Sequence, residues 1–220
     1  MTAPELYSAS HRALQDAFDS RRMADFMQAA IVHDAFDEME TAFVASRDMF
    51  FLSTVDPNGE PTVSYKGGAP GFVRVVDPKT LVFPSYDGNG MFYSMGNIAA
   101  TARVGLLFID FETPHRLRVQ GAAAILRDDP LMAAYPEAQF LVRIDVDRIF
   151  VNCPRYVHRR IKAETSKYVP AAGCETPVPA WKRIDLVQEA LPARDQGRAA
   201  AAGGLITIEE YGAKVASGDA

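Results

Sequence analysis

Cysteine is nearly absent from this 220-residue chain, which contains only Cys153 and Cys174. Their spacing matches neither a zinc site nor a CxxC pair, so a metal-stapled or disulfide-framework fold is excluded. Either the two thiols pair, or both stay reduced in a cytoplasmic protein; the second is the expectation. Neither has a visible activating neighbour that would make it a nucleophile. Long apolar runs are missing too. Nothing approaches the ~20 residues that cross a bilayer, so no membrane partner is expected. The opening MTAPELYSASHRALQD has no basic segment leading into an apolar core, so no secretory leader is expected. Positive charge is also in short supply. Lys and Arg number 23 against 28 Asp and Glu, a net charge of -5. That balance argues against nucleic acid as a partner, and the short basic stretch from Arg155 to Lys162 does not reverse it. No GxGxxG lies between a strand and a helix and no GxxxxGK[ST] occurs, which removes the Rossmann and P-loop folds.

Of the residues present, 48% are hydrophobic and 23% charged, which suits one large domain or a domain with appendages. The beginning reads as helix. Met23, Phe26, Met27, Ala30 and Ile31 share one helical face, with the methionines as core filler. Phe36, Met39 and Phe43 suggest a second helix, capped by Asp34 or Asp37. From Met49 the period changes to two. Phe50 to Val55 and Thr62 to Lys66 flank the turn Asp56-Pro57-Asn58-Gly59. Phe72 to Val76 and Leu81 to Phe83 flank Asp77-Pro78-Lys79, so two hairpins follow each other. Met91 to Ala102 reads as a helix and Val104 to Phe111 as a strand covered on both faces. Arg116 to Leu126 reads as a further strand. In the next, Phe140, Val142, Ile144 and Val146 alternate with Arg143, Asp145 and Asp147.

Cys153 to Glu164 reads as a basic helix, and a short helix begins near Ala180. ARDQGRAAAAGG reads as a flexible linker, and Ile206 to Val215 as a last docked helix. Hairpins in the middle with helices on both sides predict a closed antiparallel barrel and exclude a parallel sheet. The expected domains are a helical extension over 1–48, a barrel over 49–165, and an extended segment with short helices over 166–220.

The order FFLSTVDPNGEPTVSYKGGAPGFVRVVDPKTLVFPSYDGNGMFYSMGNIAATARVGLLFIDF, followed by HRLRVQGAA, resembles the pyridoxamine 5'-phosphate oxidase-like family over roughly Phe50 to Glu164. The resemblance implies a mainly β fold with flanking helices, the antiparallel split β-barrel of the FMN-binding type. It also implies a homodimer with FMN in a cleft between subunits. Matched position by position, Val63, Ser64, Tyr65, Lys66 and Gly67 correspond to the strand beneath the flavin, with Lys66 near the ring and ribityl chain. A cation there stabilises negative charge on reduced flavin. Pro84, Ser85 and Tyr86 correspond to the strand end that lines the ring. Asn89, Gly90, Met91, Ser94 and Asn97 fall where relatives hold the phosphate. Relatives often carry arginine or lysine at the positions of Met91 and Gly96, and this chain does not.

Arg116 and Arg118 lie two apart on one strand face. Arg116 matches a polar residue at the flavin's pyrimidine edge, and Arg118 belongs to a recurrent Leu-Arg-Val pattern. Arg155, Tyr156, His158 and Arg159, within NCPRYVHRR, match a segment that approaches the neighbouring subunit's cofactor and supplies substrate contacts. For the lysine and the arginines alike, a solvated surface side chain is the alternative. The C-terminal arginine and histidine motif of true pyridoxamine phosphate oxidases is not recognisable, so vitamin B6 oxidation is not expected. The reading is an FMN-dependent oxidoreductase acting on a small-molecule substrate or electron donor, with no metal and no identified acid or base. Two alternatives stay open: a flavin-binding or sensing module without turnover, and a split barrel holding another anionic cofactor such as a deazaflavin or haem.

Overall fold

The computed structural model describes residues 6–220, so the first five residues of the expected helical extension lie outside the described residues. The chain divides into two compact units, the first ending at Ala163 and the second running from Glu164 to Ala220. The first unit begins with α1 (Ala9–Ala17), α2 (Arg21–Ile31) and α3 (Glu38–Ser46). Asp37 caps α3: its side chain accepts the Glu40 amide at 2.7 Å, and Glu40 reaches back to the Asp37 amide. The methionines of α2 are not core filler. Met23 and Phe26 are exposed, and neither α1 nor α2 has a buried residue.

Seven strands form one antiparallel sheet: β1 (Met49–Val55), β2 (Pro61–Gly67), β3 (Arg74–Asp77), β4 (Thr80–Ser85), β5 (Arg103–Asp110), β6 (His115–Leu126) and β7 (Phe140–Val151). The spatial order is β2-β1-β5-β6-β7-β4-β3. The two hairpins therefore sit at opposite ends of the sheet, and edges β2 and β3 do not pair. This is a split barrel, open where a closed one would join. Asp56 makes the first hairpin turn by accepting the amides of Asn58 and Glu60 at 2.8 and 2.9 Å, while Gly59 takes a positive φ of 88°. Phe50 centres the core, its ring 5.8, 5.0 and 5.2 Å from those of Phe72, Phe83 and Phe108. Helix α4 (Tyr93–Thr101) closes one end with buried Met95 and Ile98.

Within the single chain strand β5 has one face in the core, and cover of the other by a second copy is not tested by it. Val104, Leu106 and Phe108 are buried, while Gly105, Leu107 and Ile109 on the other face are only half-buried. Several expectations are corrected. Residues 152–163 are not a helix, because their partners come from the β5–β6 turn and from Asp48 just before β1. The Arg160 amide donates to Phe111 O at 3.0 Å, Arg159 Nε donates to Glu112 O at 3.0 Å, and Lys162 pairs with Asp48 at 2.6 Å. Strand β7 also breaks its alternation. Gln120 faces Arg148 and Gly121 faces Val146, leaving Asp147 as the extra residue of a β-bulge. A Cβ on Gly121 would lie 2.2 Å from Asp145 O, so only glycine allows this approach.

In the second unit the expected linker is packed. Ala193–Asp195 forms a 3-10 turn and α5 (Arg198–Ala201) follows, with Asp195 and Ala199 buried. The helix expected near Ala180 is a 3-10 turn, Ala180–Arg183. A buried pair, Lys182 Nζ to Asp195 Oδ2 at 2.8 Å, joins the two turns. The last helix, α6 (Ile208–Ser217), is capped by Thr207. Among the described residues, no helix is long and apolar enough to cross a membrane, and no cluster of ligating side chains could hold a metal. Both cysteines are free and exposed.

Candidate functional site

The register of β2 against β1 sets Ser64 opposite Leu52 and Lys66 opposite Phe50, so Ser64 and Lys66 share the face that holds the core. Val63 and Tyr65 point the other way. Beyond the end of β4 the chain runs through Tyr86 and the glycine loop into α4, and these parts enclose a cleft with Ser64 and Lys66. Two adjoining cavities, of about 290 and 270 Å³, share Lys66, Ser85, Tyr86, Gly88 and Met95. The Ser94 hydroxyl donates to Ser64 Oγ at 3.2 Å and ties the start of α4 to β2.

The start of α4 is strained and uncapped. Phe92 precedes it in the left-handed region (φ 48°, ψ 26°) without a side-chain cap, and its carbonyl accepts the Gly96 amide at 2.7 Å. That conformation costs a non-glycine residue about 1–2 kcal/mol. The amides of Tyr93, Ser94 and Met95 have no intrahelical acceptor, and these three residues line the first cavity. Helix α4 thus offers the cleft free N–H groups and the positive end of its dipole.

Lys66 is the cation of this cleft. It is half-buried, and burial pushes its pKa below the ordinary lysine value. No carboxylate pairs with it among the described residues. Tyr86 is also half-buried, and burial, with Glu137 adding a smaller effect, raises its pKa. The arrangement is an anion cradle of one partly desolvated ammonium, a helix start and the hydroxyls of Ser64, Ser85 and Ser94, with one acid, Asp87, lining the second cavity.

The glycines around the cleft have different causes. Gly90 has φ 78° and needs its conformational freedom, while a Cβ on Gly88 would meet nothing. Gly67 and Gly68 answer to packing. Added Cβ atoms would lie 2.8 Å from the Tyr65 ring and 2.4 Å from the Phe72 ring.

The structure brings Ser64, Lys66, Ser85, Tyr86, Asn89, Gly90, Met91 and Ser94 together in the first cavity, and Tyr65, Gly67 and Pro84 join Lys66 in the second. The other sequence candidates stand elsewhere in the first unit. Asn97 is buried and donates to Thr54 Oγ1 at 3.1 Å, anchoring α4 to β1. Val63 and Arg118 line a groove on the outer face. Arg116 Nη2 donates to Cys153 O at 2.5 Å. Arg155, Tyr156, His158 and Arg159 lie on the exposed loop after β7. Sequence reasoning missed Thr62, Gly88, Phe92, Tyr93 and Met95 as lining residues. Two-residue alternation from Ser64 and Lys66 points to Thr62, but no sequence signal marks the left-handed turn at Phe92.

Residues 36–153 match the family model described as pyridoxamine 5'-phosphate oxidase. No curated protein matches the chain at a significant level. Among solved structures, a candidate pyridoxamine 5'-phosphate oxidase from Lactobacillus delbrueckii is 26% identical, covers 54% of this chain and 95% of its own, and has a TM-score of 0.44. The haem storage protein HutZ from Vibrio cholerae is 20% identical over 50% of this chain and 89% of its own, with a TM-score of 0.39. An FMN-binding protein from Syntrophomonas wolfei is 12% identical over 66% of this chain and 98% of its own, with a TM-score of 0.39.

Proposed function

The chain belongs to the pyridoxamine 5'-phosphate oxidase family, and from that premise we propose that the Lys66 cleft holds FMN and that the protein is an FMN-dependent oxidoreductase. One observation carries the reading: a half-buried lysine without a carboxylate faces the uncapped start of α4 across the cleft. A buried unpaired cation is unfavourable by itself, and an anionic ligand removes that penalty. The residues fit FMN. The amides of Tyr93, Ser94 and Met95 with the Ser94 hydroxyl would hold its phosphate, and Lys66 would balance negative charge on the reduced ring. Tyr86 and Pro84 would flank the ring. Bound there, FMN supplies hydride and electron transfer between a small-molecule donor and an acceptor; the chain's own part is to bind, orient and balance charge.

The working form is a homodimer in this reading. Tyr156 and Ile161 stand out from the loop after β7, and that loop would bring Arg155, Tyr156, His158 and Arg159 to the second copy's cleft. Free, exposed thiols fit a cytoplasmic setting. The test is the visible spectrum of the purified protein, followed by calorimetric titration with FMN and NADH addition. Flavin bands, FMN binding and bleaching by a nicotinamide donor are expected. A haem-type Soret band, or no flavin binding, overturns the proposal, and bound FMN that no donor reduces leaves a binding module. Light scattering at micromolar concentration tests the dimer, and a monomer overturns it.

A further inference from the structure

Tyr86 stands where β4 leaves the sheet, and the backbone on either side of it is tied down. The Gln139 amide donates to Ser85 O at 2.9 Å, and Gln139 Nε2 donates to Asp87 Oδ1 at 3.0 Å. The residue before β7 thus fixes both neighbours of Tyr86. Tyr86 itself lines both cavities at Lys66, yet its hydroxyl meets no hydrogen-bond partner among the described residues. A half-buried phenol without a partner is unfavourable by itself.

Of the residues common to the two cavities, Lys66, Ser85 and Tyr86 carry polar side chains. The ammonium and the phenol both donate hydrogen bonds, so the junction of the cavities suits an acceptor atom. The acid lining the second cavity, Asp87, already receives Gln139. Burial raises the Tyr86 pKa, with Glu137 adding to it, so the phenol keeps its proton at neutral pH. Tyr135 offers a contrast. It is buried with the Arg74 guanidinium 4.8 Å from its ring centre, and it lines neither cavity.

We propose that Tyr86 is a catalytic residue that touches the cofactor: its hydroxyl joins the Lys66 ammonium in a two-donor pocket for the negative edge of the bound ring. The inference rests on the reading of the cleft as an FMN site. Reduction of a flavin, or addition of a nucleophile at N5, moves an electron pair toward the N1–C2 carbonyl edge. Fixed donors stabilise charge where it develops. Lys66 supplies the charge, and Tyr86 supplies a directed donor that stays protonated.

The test is sulfite titration of the FMN-loaded full chain, followed by loss of flavin absorbance, together with the reduction potential against a reference dye. Sulfite forms an S–N5 bond with its own electron pair, the ring pair moves to the N1–C2 edge, and nothing leaves. The adduct therefore reads the pocket without turnover. Tyr86→Phe should weaken sulfite binding about tenfold, the loss of one hydrogen bond to a charged group. The two-electron potential should fall by about 30 mV, the same factor. Tyr135→Phe should change neither. Affinity for oxidised FMN and the melting temperature should stay near the parent values, which separates a lost donor from lost packing. Parent-like sulfite binding and potential in Tyr86→Phe, or an equal loss in Tyr135→Phe, overturns the proposal alone. A parent chain that takes up no FMN overturns the proposal and the reading beneath it.

Discussion

The inner cleft and the outer groove are two concavities of one sheet, each with a cation that pairs with no carboxylate among the described residues (Lys66 in the one, Arg118 and Arg148 in the other), yet they are built by different means. The cleft depends on loops: a left-handed Phe92, an uncapped helix start and Gly90 with φ 78° hold it together. The groove depends on strands, whose ordinary alternation provides Phe51, Leu107 and Arg118, and one inserted residue adds Arg148. Loop-built sites fit a ligand closely but spend stability on strain. Strand-built surfaces are sturdier and broader. Substitution of the cleft cation should therefore act on FMN and substitution in the framework on stability, and that separation can be tested.

The largest expected effect is at Lys66. Lys66→Met should weaken FMN binding roughly tenfold to a hundredfold, as for a lost charged hydrogen bond. If calorimetry shows FMN affinity intact, Lys66 is only a strand-end residue. The same variant should raise the melting temperature of the ligand-free protein. A folded-state lysine pKa below its unfolded value means that folding opposes the charge, a loss present at neutral pH and removed only as pH rises past the unfolded value. For the same reason, FMN affinity should begin to fall with rising pH below the usual lysine range, and Lys66→Met should flatten that profile.

Next is Asn97→Ala, which leaves Thr54 without its partner in the core. A loss of about 1–3 kcal/mol in denaturant unfolding is expected, with FMN affinity in the remaining folded protein unchanged. A selective loss of FMN affinity would restore Asn97 to the site. Smaller still, Gly90→Ala should cost about 1 kcal/mol, because a Cβ is disfavoured at positive φ. Gly88→Ala, with open space around its Cβ, should change the melting temperature hardly at all. Equal effects at the two glycines would show that the loop is not held in this conformation.

These contrasts also mark how far the sequence could be read. Both hairpins were legible because Asp56-Pro57-Asn58-Gly59 and Asp77-Pro78-Lys79 carry turn chemistry that acts locally. Lys66, Ser85, Tyr86 and Ser94 were legible through the family resemblance, since strand order brings them together. Arg148 was not, because the bulge depends on Gly121 meeting the Asp145 carbonyl across a strand pair, a contact between residues far apart in sequence. The basic run from Arg155 to Lys162 has helical composition, but partners at Phe111, Glu112 and Asp48 prevailed over local propensity. Alanine-rich Ala199 to Ala202 resembled a linker because nothing local shows that Ala199 is buried.

The buried pair of Lys182 and Asp195 has a practical consequence for where this chain can be cut. The 3-10 turns that carry the two residues are separated by an exposed stretch containing Leu186, a natural place for a protease or for a shortened gene to end. A chain ending there would lose Asp195 and with it the buried 2.8 Å pair to Lys182 that joins the two turns. The second unit's buried apolar cluster is Ala180, Ile184 and Ile206, with Trp181, Val187 and Tyr211 packed against it, a small core to absorb such a loss. Workable truncations therefore stop at the unit boundary after Ala163 or retain the whole tail to Ala220, and a nick near Leu186 should be followed by digestion of the tail back to that boundary.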